Sequence, residues 1–272
     1  MDLSRKQGAG EGRGVGVQSV HRAVSLLRVV ARHNDNGIRL TPLCKEVGLK
    51  PSTAYQLLAT LVKEGFVTHD PYSKLYNLGL DLFTLGSAAH QFALRDYLQD
   101  TLERIARRTG DTVYLVMRSG TSCLYLSRLE GAFPVRTLIV DVGARRPLGI
   151  GAGSLALMAW LPDDQVERII QSNAGLYADY NHQTPEDVRR LVIQTRKQGY
   201  ALNDRQVEPQ VVGVGLPLHD DEGQVVAAIS VGAIPTRMNP DRRKEIVRIV
   251  KEEVAGMVLP SEKRGGLQAL GR

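Results

Sequence analysis

Two groups of residues in this 272-residue sequence combine types and spacings that suit binding. The first group is polar and basic and falls between residues 50 and 74. Hydroxyl and amide groups on one side of a helix can hydrogen-bond to base edges in DNA, and lysines can contact phosphates. We expect base-edge contacts from Ser52, Thr53, Tyr55 and Gln56 and phosphate contacts from Lys50, Lys63 and Lys74.

The second group is the glycine-rich stretch Gly149–Ser154, which precedes an apolar segment. Glycine lets backbone N–H groups approach a ligand, and free N–H groups at a helix N-terminus favour an anion such as a carboxylate. Arg145 and Arg146 could assist an anion, although surface arginines are more often solvated. A tight packing turn is the alternative interpretation. The GxGxG spacing differs from the GxGxxG of dinucleotide sites, and Ser154 lacks the GxSxG setting of hydrolase nucleophiles.

A helix-turn-helix pattern places most of the first group on a single helix. Within Leu40–Gly65, Thr41 can cap a first helix and Pro42 suits its first position. Gly48 can end that helix, and Pro51 can begin a second one. The apolar residues of the second helix recur at helical spacing and leave its polar residues on the other side: Ala54, Leu57, Leu58, Leu61 and Val62. A helical hairpin buried in a core is the alternative, because short motifs also occur without DNA binding.

A β-hairpin is predicted directly after the second helix. Phe66–Thr68 and Lys74–Leu78 carry aromatic and β-branched residues, and the turn Asp70–Ser73 between them has proline at its second position. A hairpin in this place is a wing whose tip carries a lysine. Upstream, a helix capped by Ser19 and running to about His33 should pack beneath the helix-turn-helix. Its predicted buried stripe is Val20, Ala23, Val24, Leu27, Val30 and Ala31.

The remaining sequence predicts a linker and an α+β domain. Apolar residues recur at helical spacing over Leu78–Phe92, and we expect this helix to pair with its copy in a second subunit. Packing on the following domain of the same chain is the alternative. The strands that follow favour an antiparallel sheet with helices gathered on one side. The predicted strands include Thr112–Arg118, Cys123–Glu130, Arg136–Asp141, Val211–Leu218 and Val225–Val231, and predicted helices include Pro185–Gln198 and Pro240 to about Val258.

Composition restricts the partners. The formal charge is +6 with a pI of about 9.4, and residues 1–90 hold eleven Lys/Arg against seven Asp/Glu, a modest excess that suits a nucleic-acid module. Cys44 and Cys123 lack a CxxC partner, so we expect buried thiols and no metal or cofactor. No apolar run approaches the ~18 residues of a membrane span, and no signal peptide opens the sequence. We therefore expect a cytoplasmic protein with no membrane partner.

Several segments together resemble one known family. They are SVHRAVSLLRVV, GLKPSTAYQLLATLVKEGFV, a hairpin ending in YNLG, VGARRPLGIGAG, GYALNDRQVEP and VVAAISVG, in that order. Across about residues 17–258 the chain closely resembles the IclR family of bacterial transcriptional regulators. The resemblance implies a homodimer or homotetramer that binds double-stranded operator DNA. Such proteins act as repressors or activators of catabolic and other operons.

The fold class expected from this resemblance is α+β, with an N-terminal winged helix-turn-helix followed by a GAF-like α+β effector-binding domain. We expect a disordered tail at residues 1–16, the DNA-binding domain at 17–79, a linker helix at 80–93, the effector-binding domain at 94–259 and a second disordered tail at 260–272. The expected effector is a small organic acid. The alternatives are a DNA-binding protein without ligand control and a small hydrolase.

The resemblance also implies where the effector binds. The expected pocket residues are Gly149, Ile150, Gly151, Asn203, Val211, Gly213, Ser230 and Gly232. The segment Pro147–Ala156 lacks the family's usual histidine and lysine, and three pocket positions (Asn203, Gly213, Gly232) lack the side chains commonly seen there. Fewer polar groups and more room favour an effector that is bulkier and less polar than a small keto acid. An aromatic acid is an example of such an effector. A further departure is Gln56, where the family usually has arginine, so the preferred base should change from guanine to adenine.

Overall fold

The computed structural model describes residues 17–87, 90–135, 139–204, 207–257 and 259 and divides into two compact units, Met1–Ala89 and His90–Arg272. The helices are α1 (Gln18–Arg32), α2 (Leu40–Val47), α3 (Pro51–Lys63), α4 (Asp81–Ser87), α5 (His90–Thr109), α6 (Ala152–Ala159), α7 (Asp163–Tyr177), α8 (Pro185–Gln198) and α9 (Pro240–Val254). The strands are β1 (Ile38–Arg39), β2 (Val67–His69), β3 (Leu75–Leu78), β4 (Thr112–Ser119), β5 (Ser122–Leu129), β6 (Arg145–Pro147), β7 (Ala201–Asp204), β8 (Val212–His219) and β9 (Val225–Ala233).

The first unit packs three helices against a small sheet with the strand order β1–β3–β2. α2 ends at Gly48, whose φ of 70° is the left-handed conformation that glycine adopts without a steric penalty. Pro51 then occupies the first position of α3, where a missing N–H removes no helical hydrogen bond. Leu26, Leu43 and Leu58 are fully buried between the helices. With the antiparallel β2–β3 hairpin after α3, these elements form the predicted winged helix-turn-helix.

The first helix differs from its prediction in its start and in its buried face. α1 begins after Val17 without a side-chain cap, so Ser19 lies inside the helix. The buried face is centred on Leu26 and Val29, whereas Val20 and Val24 of the predicted stripe are exposed. Val30 of that stripe is buried, and Ala23 and Leu27 pack against the core as predicted. Both faces of α1 carry apolar residues, and the spacing alone therefore identified the buried face only in part.

Two boundaries around the helix-turn-helix are also shifted. The N-cap of α2 is Arg39, so Thr41 and Pro42 lie within its first turn. The predicted helix Leu78–Phe92 begins only at Asp81 with α4. The preceding Gly79 lies so close to the chain at Gly65 that an added Cβ would be 1.9 Å from the Gly65 carbonyl oxygen. Residues 88–89, between α4 and α5, lie outside the described part of the chain.

The second unit is built on a six-stranded antiparallel sheet with the order β6–β5–β4–β9–β8–β7. Successive residues of a strand point to opposite faces. Val113 and Leu115 of β4 accordingly pack in one core with α5 and α9, whereas Tyr114 and Val116 pack in a second core with α6, α7 and α8. Helices thus cover both faces, and the prediction that they gather on one side was wrong. The cause is that β4 is apolar on both faces.

Other elements of this unit lie near their predicted positions, with one exception. Helix α8 begins with a capping box between Thr184 and Asp187 and has the predicted bounds. Of the predicted strand Arg136–Asp141, residues 136–138 lie outside the described part, and residues 139–141 are not a strand. β6 instead takes the edge position beside β5. The two predicted tails, 1–16 and 260–272, also fall outside the described residues.

Candidate functional sites

One side of α3 is buried and the other is exposed. Ala54, Leu58 and Leu61 are buried in the core of the first unit. The residues predicted to contact DNA lie on the opposite side: Lys50, Ser52, Tyr55, Gln56 and Lys63 are exposed, and Thr53 is partly buried. α3 has no side-chain cap, so N–H groups in its first turn can donate outside the helix. This surface suits the phosphates and base edges of a DNA groove.

The tip of the β2–β3 hairpin is held by one carboxylate. Asp70 accepts hydrogen bonds from the Tyr72 N–H at 3.0 Å, the Ser73 N–H at 3.3 Å and the Ser73 hydroxyl. The Ser73 hydroxyl, followed by the Tyr72 N–H, lowers the pKa of Asp70 below its usual value. The next residue, Lys74, is exposed and has a φ of 60°, which completes the tight turn. The predicted phosphate contact is therefore carried on an ordered tip.

A second cation, Arg39, lies beside this tip and was not predicted from the sequence. Nε of Arg39, on β1, donates a hydrogen bond to the Ser73 carbonyl oxygen at 3.2 Å. Its side chain is exposed beside the hairpin that carries Lys74. β1 is only two residues long, which is too short for a period-2 pattern to reveal.

The second unit contains a small cavity between the first turn of α6 and strands β7, β8 and β9. Its volume is about 30 Å³. Six of the eight predicted effector residues line it: Gly151, Asn203, Val211, Gly213, Ser230 and Gly232. Strand register explains why such distant residues meet, because Asn203 pairs with Gly213 and Gly213 pairs with Gly232. Ser230 lies two positions before Gly232 and so shares its face of the sheet.

The other two predicted residues, Gly149 and Ile150, do not line the cavity. Ile150 is fully buried in the core formed with α7 and α8. A Cβ on Gly149 would lie 2.6 Å from Val188, so this glycine permits close packing against α8. Ser154 Oγ accepts a hydrogen bond from the Gly149 N–H at 2.9 Å and donates to the Pro147 carbonyl oxygen at 3.1 Å. These contacts give this part of the glycine stretch, and Ser154, a packing role.

Gly151 and the residues after it form the cavity-facing part of the same stretch. Gly151 is the N-cap of α6, has a φ of 87° and provides no side-chain cap. A Cβ on Gly151 would have only Tyr125 and Arg146 atoms nearby, at 3.7 and 3.8 Å. A Cβ on Gly153 would lie 3.1 Å from Ser230 Oγ. The uncapped first turn of α6 therefore opens toward polar groups of the cavity.

Gly213 on β8 does not enlarge the cavity, contrary to the expectation of more room at this position. A Cβ on Gly213 would be 3.3 Å from Cβ of Ala152, and one on Gly215 would be 2.3 Å from the Ala152 carbonyl oxygen. The space left by these missing side chains is occupied by α6. A ligand larger than a few water molecules must displace side chains in the cavity wall.

Several cavity residues were not predicted from the sequence, and one had been considered only as an assisting group. The unpredicted ones are Tyr114, Tyr125, Ile139, Val140 and Val231, whereas Ala152 and Gly153 belong to the glycine-rich stretch that was proposed to bind an anion. Burial raises the pKa of both Tyr114 and Tyr125, so they remain neutral phenols at neutral pH. The assisting candidate, Arg146, lines the cavity, whereas Arg145 turns away and donates to Ser119 Oγ at 2.7 Å.

The cavity has two polar groups with unusual surroundings. The Arg146 guanidinium donates to the Ile139 carbonyl oxygen at 3.0 Å and lies 5.9 Å from the ring centre of Tyr125. No described carboxylate forms an ion pair with it. Asn203 is 4% exposed, and its Oδ1 has no hydrogen-bond partner among the described residues. A buried acceptor without a partner is unfavourable, so the cavity is suited to a ligand that supplies one.

Other sites in the described residues are limited. No group of three or more His, Cys, Asp or Glu residues among them could hold a metal ion. Cys44 and Cys123 are both buried and unpaired as a disulfide, and burial raises the pKa of Cys123 to about 11, which keeps its thiol protonated. No helix in the described ranges is both long and apolar enough to cross a membrane.

Comparisons with known proteins agree with this two-part arrangement. The family model described as the IclR helix-turn-helix domain matches residues 19–71, and the one described as bacterial transcriptional regulator IclR C-terminal matches residues 86–257. The chain is 28% identical over 230 residues to the HTH-type transcriptional regulator XynR of Escherichia coli, covering 82% of this chain and 88% of that protein.

Two solved structures have a similar fold. An IclR transcriptional regulator from Alicyclobacillus acidocaldarius gives a TM-score of 0.71 at 25% identity, covering 88% of this chain and 97% of the other. An IclR homologue from Microbacterium hydrocarbonoxydans complexed with 4-hydroxybenzoate gives a TM-score of 0.70 at 22% identity, covering 87% and 97%.

A winged helix-turn-helix followed by an α+β unit with a polar cavity defines a bacterial DNA-binding transcriptional regulator rather than an enzyme. The two family models together match most of the chain, and the chain belongs to the IclR family. Its first unit is the DNA-binding domain, and its second unit is the effector domain.

Proposed function

We propose that this protein regulates a catabolic operon, as a repressor or an activator, by binding operator DNA in a ligand-dependent way. The observation that carries the proposal is the exposed polar side of α3 above a buried apolar side. Ser52, Thr53, Tyr55 and Gln56 would face base edges, and Lys50, Lys63 and Lys74 would contact phosphates. Arg39 would join the phosphate contacts from β1.

The proposed effector is a small organic acid bound in the cavity of the second unit. Arg146 and the uncapped first turn of α6 supply positive charge and N–H donors for a carboxylate. The rings of Tyr114 and Tyr125, whose centres are 5.7 Å apart, supply an aromatic wall. The 4-hydroxybenzoate complex of the Microbacterium homologue supports an aromatic acid. The cavity of about 30 Å³ would have to widen to admit one.

The proposed active form is a homodimer or homotetramer. Around α4, Leu80, Phe83 and Leu85 are 84%, 76% and 58% exposed. An exposed apolar cluster of this kind is typical of a surface that another subunit covers. Two subunits would present two copies of α3 to major grooves about one helical turn, roughly 34 Å, apart or a multiple of that distance. An effector would change DNA affinity by binding the DNA-competent and incompetent arrangements unequally.

The proposal is tested by mapping the DNA that the purified full-length chain protects upstream of neighbouring genes. We expect two protected half-sites at that spacing, and protection that changes when acids from a panel of aliphatic and aromatic carboxylates are added. Phe83→Glu should lower the oligomeric state in sedimentation experiments, whereas Tyr72→Glu, at an even more exposed aromatic residue of the wing, should not. Specific protection that no ligand changes would support DNA binding without ligand control, and the absence of specific protection would reject the proposal.

A further inference from the structure

The described lining of the effector-domain cavity carries a single formal charge. Among its described lining residues, Arg146 is the only side chain that is charged at neutral pH, and no Asp or Glu is present. A partly buried cation without an anionic partner is unfavourable, and an anion that pairs with it relieves that cost. One carboxylate balances the charge, whereas a second carboxylate in the same cavity would itself lack a partner. The charge therefore favours a monoanion.

The same cavity also contains one acceptor that needs a donor. Oδ1 of Asn203 is buried and has no partner in the described residues, and no backbone or side-chain donor of the neighbouring strands reaches it. Asn203 pairs with Gly213, which has no side chain to offer a hydrogen bond. A ligand hydroxyl would donate to Oδ1, whereas an apolar ligand would leave the acceptor unsatisfied and exclude water from it.

Both groups line the same cavity near the first turn of α6. A Cβ on Gly151 would lie 3.8 Å from Nη1 of Arg146. One residue later, Ala152 lies beside Gly213, and a Cβ on Gly213 would be 3.3 Å from Cβ of Ala152 and 3.9 Å from Cβ of Asn203. Because both side chains line one cavity, a single ligand against this turn can contact both the guanidinium and the amide.

We infer that the effector is a small hydroxy monocarboxylic acid, with its carboxylate against Arg146 and the first turn of α6 and its hydroxyl donating to Asn203 Oδ1. This inference rests on the proposed function, because it names the chemical class of acid for the same cavity. An acid without a hydroxyl leaves Oδ1 unsatisfied, and a keto acid directs a second acceptor at it. An amino acid would bring a second cation beside Arg146.

The first test compares acids of matched shape by calorimetric titration of the full-length protein. One series is lactate, propanoate, pyruvate and malonate, and a second, larger series is 4-hydroxybenzoate, benzoate, 4-formylbenzoate and terephthalate. Within each series the size is similar, while the second functional group is a donor, absent, an acceptor or an anion. That group is adjacent to the carboxylate in lactate and pyruvate and lies across the ring in the benzoates. In at least one series we expect the hydroxy acid to bind about tenfold or more tightly than the other three.

The second test assigns the two ends of the ligand to the two residues. Asn203→Leu keeps the branched outline of the side chain and replaces both polar atoms by methyl groups. It should bring the hydroxy acid and its unsubstituted analogue to within about twofold of each other, because neither can then donate to the amide. Arg146→Gln should weaken every acid in the series by about tenfold or more and keep the preference for the hydroxyl. Arg145→Gln is the matched control, since that arginine binds Ser119 outside the cavity, and it should leave all affinities unchanged.

Selectivity rather than affinity is the deciding readout, because a merely structural role of Asn203 would weaken all acids equally. Chemical denaturation followed by the fluorescence of Trp160, the C-cap of α6, confirms that the effector domain of each variant is folded. Equal binding of the hydroxy, keto and unsubstituted acids, or a preference for pyruvate or 4-formylbenzoate, would overturn the inference and leave the proposed acid effector standing. If none of the eight acids binds the wild-type protein, both the inference and the acid effector are rejected, while the DNA footprint still tests the DNA-binding half independently.

Discussion

Helices α3 and α6 begin alike and end up in opposite environments. Each lacks a side-chain cap, so both leave N–H groups of the first turn open to an acceptor. α3 has a polar face toward solvent, whereas all eight residues of α6 are buried. The binding groups of α3 are its own side chains, but those around α6 come from β6, β7 and β9. One site suits a long polyanion outside the protein, and the other suits one small anion inside it.

Because of this difference, substitutions should affect binding and stability separately at α3 but together around α6. Substitutions on the exposed side of α3 change a surface and should alter DNA affinity while leaving the free energy of unfolding nearly unchanged. Substitutions around α6 change packed interior contacts and should alter stability together with ligand binding. The following experiments test that contrast.

The largest expected effect comes from Gly215→Ala on β8. The added Cβ would lie 2.3 Å from the Ala152 carbonyl oxygen, so α6 or the strand must shift. We expect the free energy of unfolding of the second unit to fall by about 2–3 kcal/mol. Chemical denaturation followed by fluorescence measures this unit selectively, because the only tryptophan of the sequence, Trp160, is the C-cap of α6.

Gly175→Ala on α7 is the control for that experiment. A Cβ there has no neighbouring atom within 4 Å, and alanine favours a helix over glycine by about 0.5–1 kcal/mol. It should therefore leave stability unchanged or raise it slightly. An equal loss in the two variants would contradict the close contact between α6 and β8.

The next effect in size is on sequence preference at α3. Gln56→Ala should reduce the ratio of operator to random-DNA affinity by about tenfold or more, because a bidentate base contact is worth about 1–3 kcal/mol of discrimination. The unfolding curve should not move, since Gln56 is exposed. Thr60→Ala, also exposed on α3, is the control. Competition binding measures both variants, and an equal loss on operator and random DNA would contradict the base-edge role of Gln56.

A smaller and sequence-independent effect is expected at the wing. Lys74→Asn removes one cation, and asparagine tolerates the left-handed φ of 60° at this position. Affinity should fall several-fold on any DNA, and the slope of log K against log salt should decrease by about one. Lys244→Asn on α9, in the second unit, makes the same change in net charge and should leave the slope unchanged. A loss confined to the operator would instead make Lys74 a base-reading residue.

The smallest effect is a local pKa at the wing tip. Hydrogen bonds from Ser73 and Tyr72 hold the pKa of Asp70 below its usual 3.8. Because the folded pKa is lowered, ionised Asp70 stabilises the turn above about pH 4, and this contribution disappears as the pH falls through the lowered pKa. Ser73→Ala should raise the pKa toward 3.8 in a carboxyl NMR titration. Asp164, whose pKa is lowered by Arg168, should titrate unchanged in the same experiment.

The first unit could be predicted from sequence because its signals are local. Gly48 and Pro51 fix the turn, and the apolar spacing of α3 separates its buried side from its polar side within thirteen residues. The buried face of α1 was predicted only in part, because both of its faces carry apolar residues and only tertiary contacts decide between them. Arg39 escaped notice because its contact with Ser73 joins residues 34 positions apart.

The cavity of the second unit could be predicted only in part. The family pattern indicated Asn203, Gly213 and Ser230, which meet through strand register. In the sequence, Tyr114 and Tyr125 resemble ordinary apolar strand residues. Nothing local shows which face of their strands lines the cavity. Within the glycine stretch, both interpretations hold for different residues: Gly149 serves packing and Gly151 faces the cavity. The two glycines are distinguished only by their neighbours in the folded protein, which are Val188 for Gly149 and Arg146 for Gly151.

The contact of Ala152 with Gly213 and Gly215 has a mechanical consequence. Where helix and strand touch through backbone atoms, no flexible side chain lies between them to absorb a displacement. A molecule that pushes the first turn of α6 must therefore push β8 by a similar distance, and the hydrogen-bonded ladder carries that movement to β7 and β9. The close packing at these glycines makes the contact between α6 and β8 rigid. Such rigidity is required if a ligand in a small cavity is to change the position of the strands at the far edge of the sheet.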